Sequence, residues 1–354
     1  MKESTREYFP MLDVFRIIVC AMVFIFHIVY FQVVDIPQNN LFYFPGVMEA
    51  FFILSGFLLY YLHESEFEKI NKDSIKNFYL KRILKIYPYY LLYTICIIIY
   101  QHYWSLIIIP SEILCIHGFF PQLFLIAGND GTWFISCIIF SYLLFPFLCL
   151  MVRSTKRVKL AYFLIYLFII YIVALSYKFK IDFLYLHINP IFRMFEFLIG
   201  MFLAKIFIQH KHTKTNNYSV FIAISSVLIM SGLMFLLNPQ NRFQEFIHSL
   251  TFYSFITIPV FSIVIYSLAV YKNKFTHFLA QSQILKKLAK LTLPFYIWQG
   301  LGIKITKDYL TNNNIPDYID TLIVTIICSV ITYVIFDKIF IKVIEKLLIK
   351  KSSY

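Results

Sequence analysis

Apolar stretches of about 20 residues recur along almost the whole chain, each long enough to cross the hydrocarbon layer of a bilayer as a helix. They predict spans at roughly 11–31, 44–62, 84–104, 132–152, 160–177, 189–208, 218–237, 248–271, 291–307 and 319–341, about ten transmembrane helices in all. Segment 110–131 breaks the series. ILCIHGFFPQLFLIAGNDG is apolar but interrupted by Gly118, Pro121 and Gly128. It predicts a re-entrant or interfacial piece, tolerable at membrane depth only where its backbone is buried in protein or lines a cavity. Counting it as a span would invert every later helix. The polar connection 63–83 and the tail IKVIEKLLIKKSSY read as interfacial amphipathic helices. The first apolar run is too long for a removable leader and lacks a small-residue cleavage site, so it is read as a span.

Composition agrees with this pattern. The 354 residues are 60% hydrophobic and 14% charged, with a mean hydropathy of +0.72. Such values belong to an all-α polytopic membrane protein, with residues 1–354 forming one transmembrane domain and no room for a separate soluble one. Many of the 27 Tyr and 40 Phe cluster near predicted span ends, as in YFPGVMEAFF and KIYPYYLLY, where aromatic rings favour the headgroup zone.

The net charge of +13 raises the question of a nucleic-acid partner. Its distribution argues against one. On the ten-span arrangement 24 of the 32 Lys and Arg fall on one side, among them Lys2, Arg6, Lys81, Arg82, Arg153, Lys205, Lys272 and Lys350. The other side receives Lys178, Lys180, Arg242, Lys304 and Lys307. The positive-inside rule then puts the basic side and both termini in the cytoplasm. The six cysteines have neither metal-ligand spacing nor a disulfide framework, and are expected to be small core residues. No metal site is expected.

Polar residues inside the apolar runs carry the chemistry. Arg16 and His27 are eleven residues apart in the first span, close to three helical turns, so both project from one face about 16 Å apart. Ionisable groups on a membrane span are costly unless a partner or a wet cavity receives them, which makes this helix one wall of an intramembrane polar site. Asp13 lies one turn from Arg16. Glu49 enters the second span at a depth comparable to His27, so the two are expected to meet, the carboxylate orienting the ring. Arg193 and Glu196 stand at i and i+3 on the sixth span and are expected to pair. Trp133 and Ser136 open the fourth span. Lys81, Arg82 and Lys85 stand at the entrance of the third span, a basic cluster suited to lipid headgroups or to the phosphates of a nucleotide-containing donor.

At these residues the chain resembles the acyltransferase 3 family of bacterial integral-membrane O-acyltransferases. Arg16 and His27 match its Arg/Lys-x10-His signature, and four further blocks follow in order. VMEAFFILSGF (Val47 to Phe57) carries Glu49, Ser55 and Gly56, and YLKRILKIYP (Tyr79 to Pro88) is similar to the basic stretch ending in Tyr-Pro. TWFIS with the later Tyr142 and Pro146 resembles its Trp-Phe-x-Ser segment, and FRMFEFLIGM (Phe192 to Met201) its Arg-x-x-x-Phe-x-x-Gly helix. In LPFYIWQ the family often has His where this chain has Gln299, so no second histidine is carried over.

The resemblance implies a single-domain membrane O-acyltransferase of the bacterial cytoplasmic (inner) membrane, without an SGNH-type esterase domain. Acetyl from cytoplasmic acetyl-CoA would pass to a hydroxyl of a lipid-linked or exported cell-surface saccharide, with no tightly bound cofactor. His27 is then a general base or a transient acyl carrier, Glu49 its orienter and Arg16 the support for the donor. Ser55, Trp133, Arg193 and Glu196 shape the acceptor pocket, and Lys81, Arg82 and Lys85 meet donor phosphates. Membrane lipids are the remaining partners. The alternative is a polysaccharide export component without acyl transfer.

Overall fold

The computed structural model describes residues 7–34, 47–69, 71–102, 104–124, 131–182, 184–210, 218–237, 254–310 and 316–336. Every regular element among them is helical. The long helices are α1 (Pro10–Tyr30), α2 (Val47–His63) and α3 (Lys72–Gln101). Three short turns of helix follow: α4 (Ile108–Ile113), a 3-10 turn (His117–Phe119) and α5 (Pro121–Phe124). Next come α6 (Trp133–Ser154), α7 (Val158–Lys178), the short α8 (Leu184–His187), α9 (Pro190–Gln209) and α10 (Ser219–Leu237). The chain closes with α11 (Ser254–Val270), α12 (Lys274–Gln281), α13 (Gln283–Ile305) and α14 (Asp317–Tyr333).

Among the described residues five helices are long and apolar enough to cross a membrane: α1, α3, α6, α7 and α14 extended to Phe336. A sixth arises if α11 and α12, bent by 88° at their junction, form one broken span. This is fewer than the ten expected, for identifiable reasons. α2 has only 17 described residues. α9 carries Arg193, Glu196 and Lys205, and α13 carries Lys286, Lys287, Lys290 and Lys304, so neither reads as purely apolar. The outward faces suit lipid: on α7, Phe163, Leu164, Phe168 and Tyr171 are exposed.

Segment 108–124 forms three short helical pieces rather than a span, as its Gly and Pro residues dictate. Leu106 and Ile107 just before it and Leu114 within it stand exposed. The polar connection before the third span differs from expectation. Residues 64–69 turn, Asn71 caps Asp73 N, and α3 then runs unbroken from Lys72 past Pro88. The C-terminal tail lies outside the described residues.

The most extensive helix pair is α2 with α9. Its closeness depends on two reciprocal glycines. A Cβ on Gly56 would overlap the Phe197 carbonyl, and one on Gly200 would overlap the Ile53 carbonyl. With no side chain between them the two backbones touch, the packing that small residues permit in membranes. α6 and α7 lie against α9, α11 against α2, and α13 against α1 and α14. The N-terminal ends of α2, α6, α9 and α11 therefore gather at one end of the bundle together with the C-terminal ends of α1 and α13.

Candidate active site

At that end, α1 and α13 present His27 and Gln299 to each other. His27 Nδ1 and Gln299 Oε1 are 2.7 Å apart. A carboxamide oxygen only accepts, so the imidazole donates from Nδ1 and its Nε2 keeps the lone pair. Nε2 makes no hydrogen bond among the described residues, and the ring is half-buried. Tyr296, one turn before Gln299, lies 6.4 Å from the ring centre to centre and donates its hydroxyl to the Gly131 carbonyl. That bond holds the turn leading into α6 beside the imidazole, where a Cβ on Gly131 would sit 3.8 Å from His27 Cε1. Cys20, on α1 between Arg16 and His27, ties the same two helices by donating to Thr292 O at 3.4 Å.

A second cluster is buried between α2, α9 and α11. Arg193, 1% exposed, donates to Glu196 Oε1 at 2.5 Å and lies 3.7 Å from Glu49 Oε1. It also donates to the His187 carbonyl and, through Nη2, to His187 Nδ1, both at 2.7 Å. Because a guanidinium cannot accept, that Nδ1 must be unprotonated. Glu49 accepts from Ser254 Oγ at 2.8 Å and from Thr257 Oγ1. The guanidinium lies 5.7 Å from the ring centres of both Phe52 and Trp133. Two carboxylates around one guanidinium, with hydroxyls on both oxygens of Glu49, is how a membrane interior tolerates such charge, although Glu196 Oε2 has no hydrogen-bond partner among the described residues. Aromatic rings at the start of α6 join the two clusters. Trp133 lies tilted against His187 at 4.8 Å, and Phe134 lies 5.3 Å from Tyr296.

The opposite end of the bundle is basic. Arg16 pairs with Asp13 at 3.2 Å and is 29% exposed; Tyr8 donates to the other oxygen of Asp13 at 2.6 Å. Arg82 faces inward, hydrogen-bonded to His63 Nε2, whose Nδ1 meets Glu66 at 2.8 Å. The Tyr142 hydroxyl lies within electrostatic range of both Arg16 and Arg82, so α1, α3 and α6 converge there. Pro146 contributes to that neighbourhood, since it has no N–H for the carbonyl of Tyr142 one turn earlier.

With this geometry in view, a profile of the acyltransferase 3 family, described as an acyltransferase domain, matches residues 9–335. The chain belongs to that family. No curated protein and no solved structure matches it. As an acyltransferase it has an acyl donor, an acceptor and a membrane setting.

Within this acyltransferase the expected residues divide. His27, Glu49, Trp133, Arg193 and Glu196 gather at one end, and the Arg193–Glu196 and Asp13–Arg16 pairs form. The expected contact of Glu49 with His27 does not. Glu49 turns toward Arg193, Ser254 and Thr257, and Gln299 takes its place at the ring. The reason is neighbour choice: α13 packs on the His27 face of α1, while α2 packs its polar face on α9. Ser55 is half-buried, with no hydrogen bond among the described residues. The basic cluster of the third span is split by helical rotation, Lys81 and Lys85 lying on an exposed face and Arg82 turning inward. Ser136 braces structure instead, donating to Cys115 O at 2.5 Å and accepting from Gly118 N at 3.3 Å.

Several contributors carry a weak sequence signal. Ser254 and Thr257 are an i, i+3 polar pair on an apolar run, and His187 sits three residues before Pro190. His63 closes α2 just before the acidic residues Glu64, Glu66 and Glu68.

Proposed function

We propose that this acyltransferase moves an acetyl group from cytoplasmic acetyl-CoA to a hydroxyl of a lipid-linked or exported cell-surface saccharide in a bacterial cytoplasmic membrane. The observation that carries the reading is the His27 imidazole, anchored at Nδ1 and open at Nε2. An open ring nitrogen can take the proton of the acceptor hydroxyl as its oxygen attacks the thioester carbonyl. The departing CoA thiolate then recovers that proton. The same atom can instead carry the acyl group transiently, forming the N–acyl bond as the C–S bond breaks and yielding it to the hydroxyl afterwards. Both routes need the lone pair on Nε2.

The basic end supports an anionic donor. Arg16, Arg82 and the Tyr142 hydroxyl converge there, and charged donors of that kind serve phosphate recognition. Lys81 and Lys85 on the exposed face of α3 draw phosphates toward it. Trp133, Arg193, Glu196 and Ser55 belong to the acceptor side. Aromatic rings and fixed hydrogen-bonding groups suit a sugar.

Mass spectrometry of purified surface glycan from cells with and without the gene tests the reading. Loss of O-acetyl groups from a polymer that is still exported is the expected result; polymer retained inside the cell makes the protein an export component and overturns it. The variant H27A should abolish acetyl incorporation while membrane insertion and protein level stay near normal.

A further inference from the structure

Gln299 is 0% exposed, and its two amide atoms have different fates. Oε1 accepts from His27 Nδ1 at 2.7 Å, whereas Nε2 has no hydrogen-bond partner among the described residues. Buried side-chain donors are nearly always paired, and an orphan costs about 1–3 kcal/mol. Turning the amide over would not relieve this, because the oxygen would then be the orphan. A buried amide hydrogen left open beside an imidazole is a feature that a bound oxygen completes.

The surroundings of the ring sharpen the point. The groups facing it are Gln299 and Tyr296 of α13, Phe26 and Phe31 of its own segment, and the Gly131 backbone. No charged side chain among the described residues acts on it. The tautomer of His27 is therefore set by one neutral amide, not by a carboxylate.

We propose that Gln299 is the positioning residue that holds His27 in its Nε2-basic tautomer, and that its free amide hydrogen is donated to an oxygen of the bound substrate. This rests on the acyl-transfer reading given above. One side chain then serves base and substrate together, and the buried orphan is paired only when substrate is present. A substrate lacking an oxygen at that point leaves the amide unpaired, which is how buried polar groups discriminate.

The test uses the full-length protein in its native membranes, with isotopically labelled acetyl-CoA as donor and the cells' own surface saccharide as acceptor. Initial rates are measured across pH for wild type, Q299E, Q299A and H27A, each normalised to protein that elutes folded on size-exclusion. Q299A lacks both functions and should fall by about 10²-fold in rate, the lower range for a general base deprived of its setting. Q299E restores an acceptor for Nδ1 but has no N–H, so its rate should lie between Q299A and wild type. Its acid limb should also move to higher pH, because a carboxylate favours the imidazolium; a merely structural role moves no such limb. Wild-type rate and profile in Q299A, with H27A inactive, overturn the assignment of Gln299 and leave acyl transfer standing. Equal rates for Q299E and wild type remove the amide donor, and equal rates for Q299E and Q299A without a shifted limb remove the tautomer role. Acetyl transfer retained in H27A overturns both this inference and the reading beneath it.

Discussion

Arg193 sits where two carboxylates, an imidazole and three aromatic rings converge, all inside the bundle. Replacing it by Met would leave Glu49 and Glu196 buried without their cation, at a cost of about 3–5 kcal/mol. R193M should therefore lose most of its folded peak after mild heating in detergent, followed by fluorescence size-exclusion. Glu49 allows a graded version. E49Q keeps a carbonyl oxygen for one of the two hydroxyls and offers the other an amide N–H to accept, whereas E49A strands both, so E49Q should be the more stable of the two. Equal stability would show that those hydroxyls contribute nothing. Local pairs of this site were legible beforehand: Asp13 with Arg16 and Arg193 with Glu196 are both i, i+3, and helical spacing alone brings such residues together. His27 with Gln299 is not of that kind. The two are separated by 272 positions, and periodicity along a span says which face is polar, not which helix it meets.

Helix pairing depends on features almost as small. Gly56 and Gly200 let α2 and α9 touch backbone to backbone, and Cβ atoms there would overlap the facing carbonyls. G56A and G200A should each lower the apparent melting temperature and reduce acyl transfer, because the Glu49–Arg193 contact spans that same pair. Gly232 on α10 is the control: nothing lies within 4 Å of a Cβ there, so G232A should be neutral or slightly stabilising. At the other end of α9, Lys205 donates to the carbonyls of Val152, Arg153 and Thr155 at 2.7–2.8 Å, closing α6. A cation is favourable where a helix leaves carbonyls unpaired. K205M should destabilise the protein by thermal size-exclusion more than K287M, at an exposed lysine of α13, does; parity between them would dismiss the cap. The glycines were visible in the sequence only as members of motifs, and their reciprocal contact required the two helices side by side.

Across the whole molecule, hydropathy marked out the helices well because a membrane interior demands an internally bonded backbone. The described bounds of α1, α6, α7 and α9 lie within about two residues of the sequence reading, the range in which helix ends are ordinarily uncertain. What falls short in α9 and α13 is apolar character rather than placement, since the residues that lower it include those that build the polar core. α3 began earlier than expected because Asn71 caps it, a local signal that a window average smooths away. Sidedness remains open to direct measurement. Cysteine reporters at Lys156 and Lys180, which flank α7, should be labelled by impermeant maleimide from opposite faces in a background lacking the six native cysteines. Labelling of both from one face would refute α7 as a crossing.

The glycine contact between α2 and α9 has a mechanical consequence. Two backbones in direct touch leave no yielding layer of side chains, so the pair acts as a strut that neither slides nor hinges at its midpoint. Donor and acceptor must then be accommodated by displacement elsewhere. The flank that carries the imidazole meets its neighbours through side chains rather than bare backbone, and side-chain packing can yield by rotamer change where that post cannot.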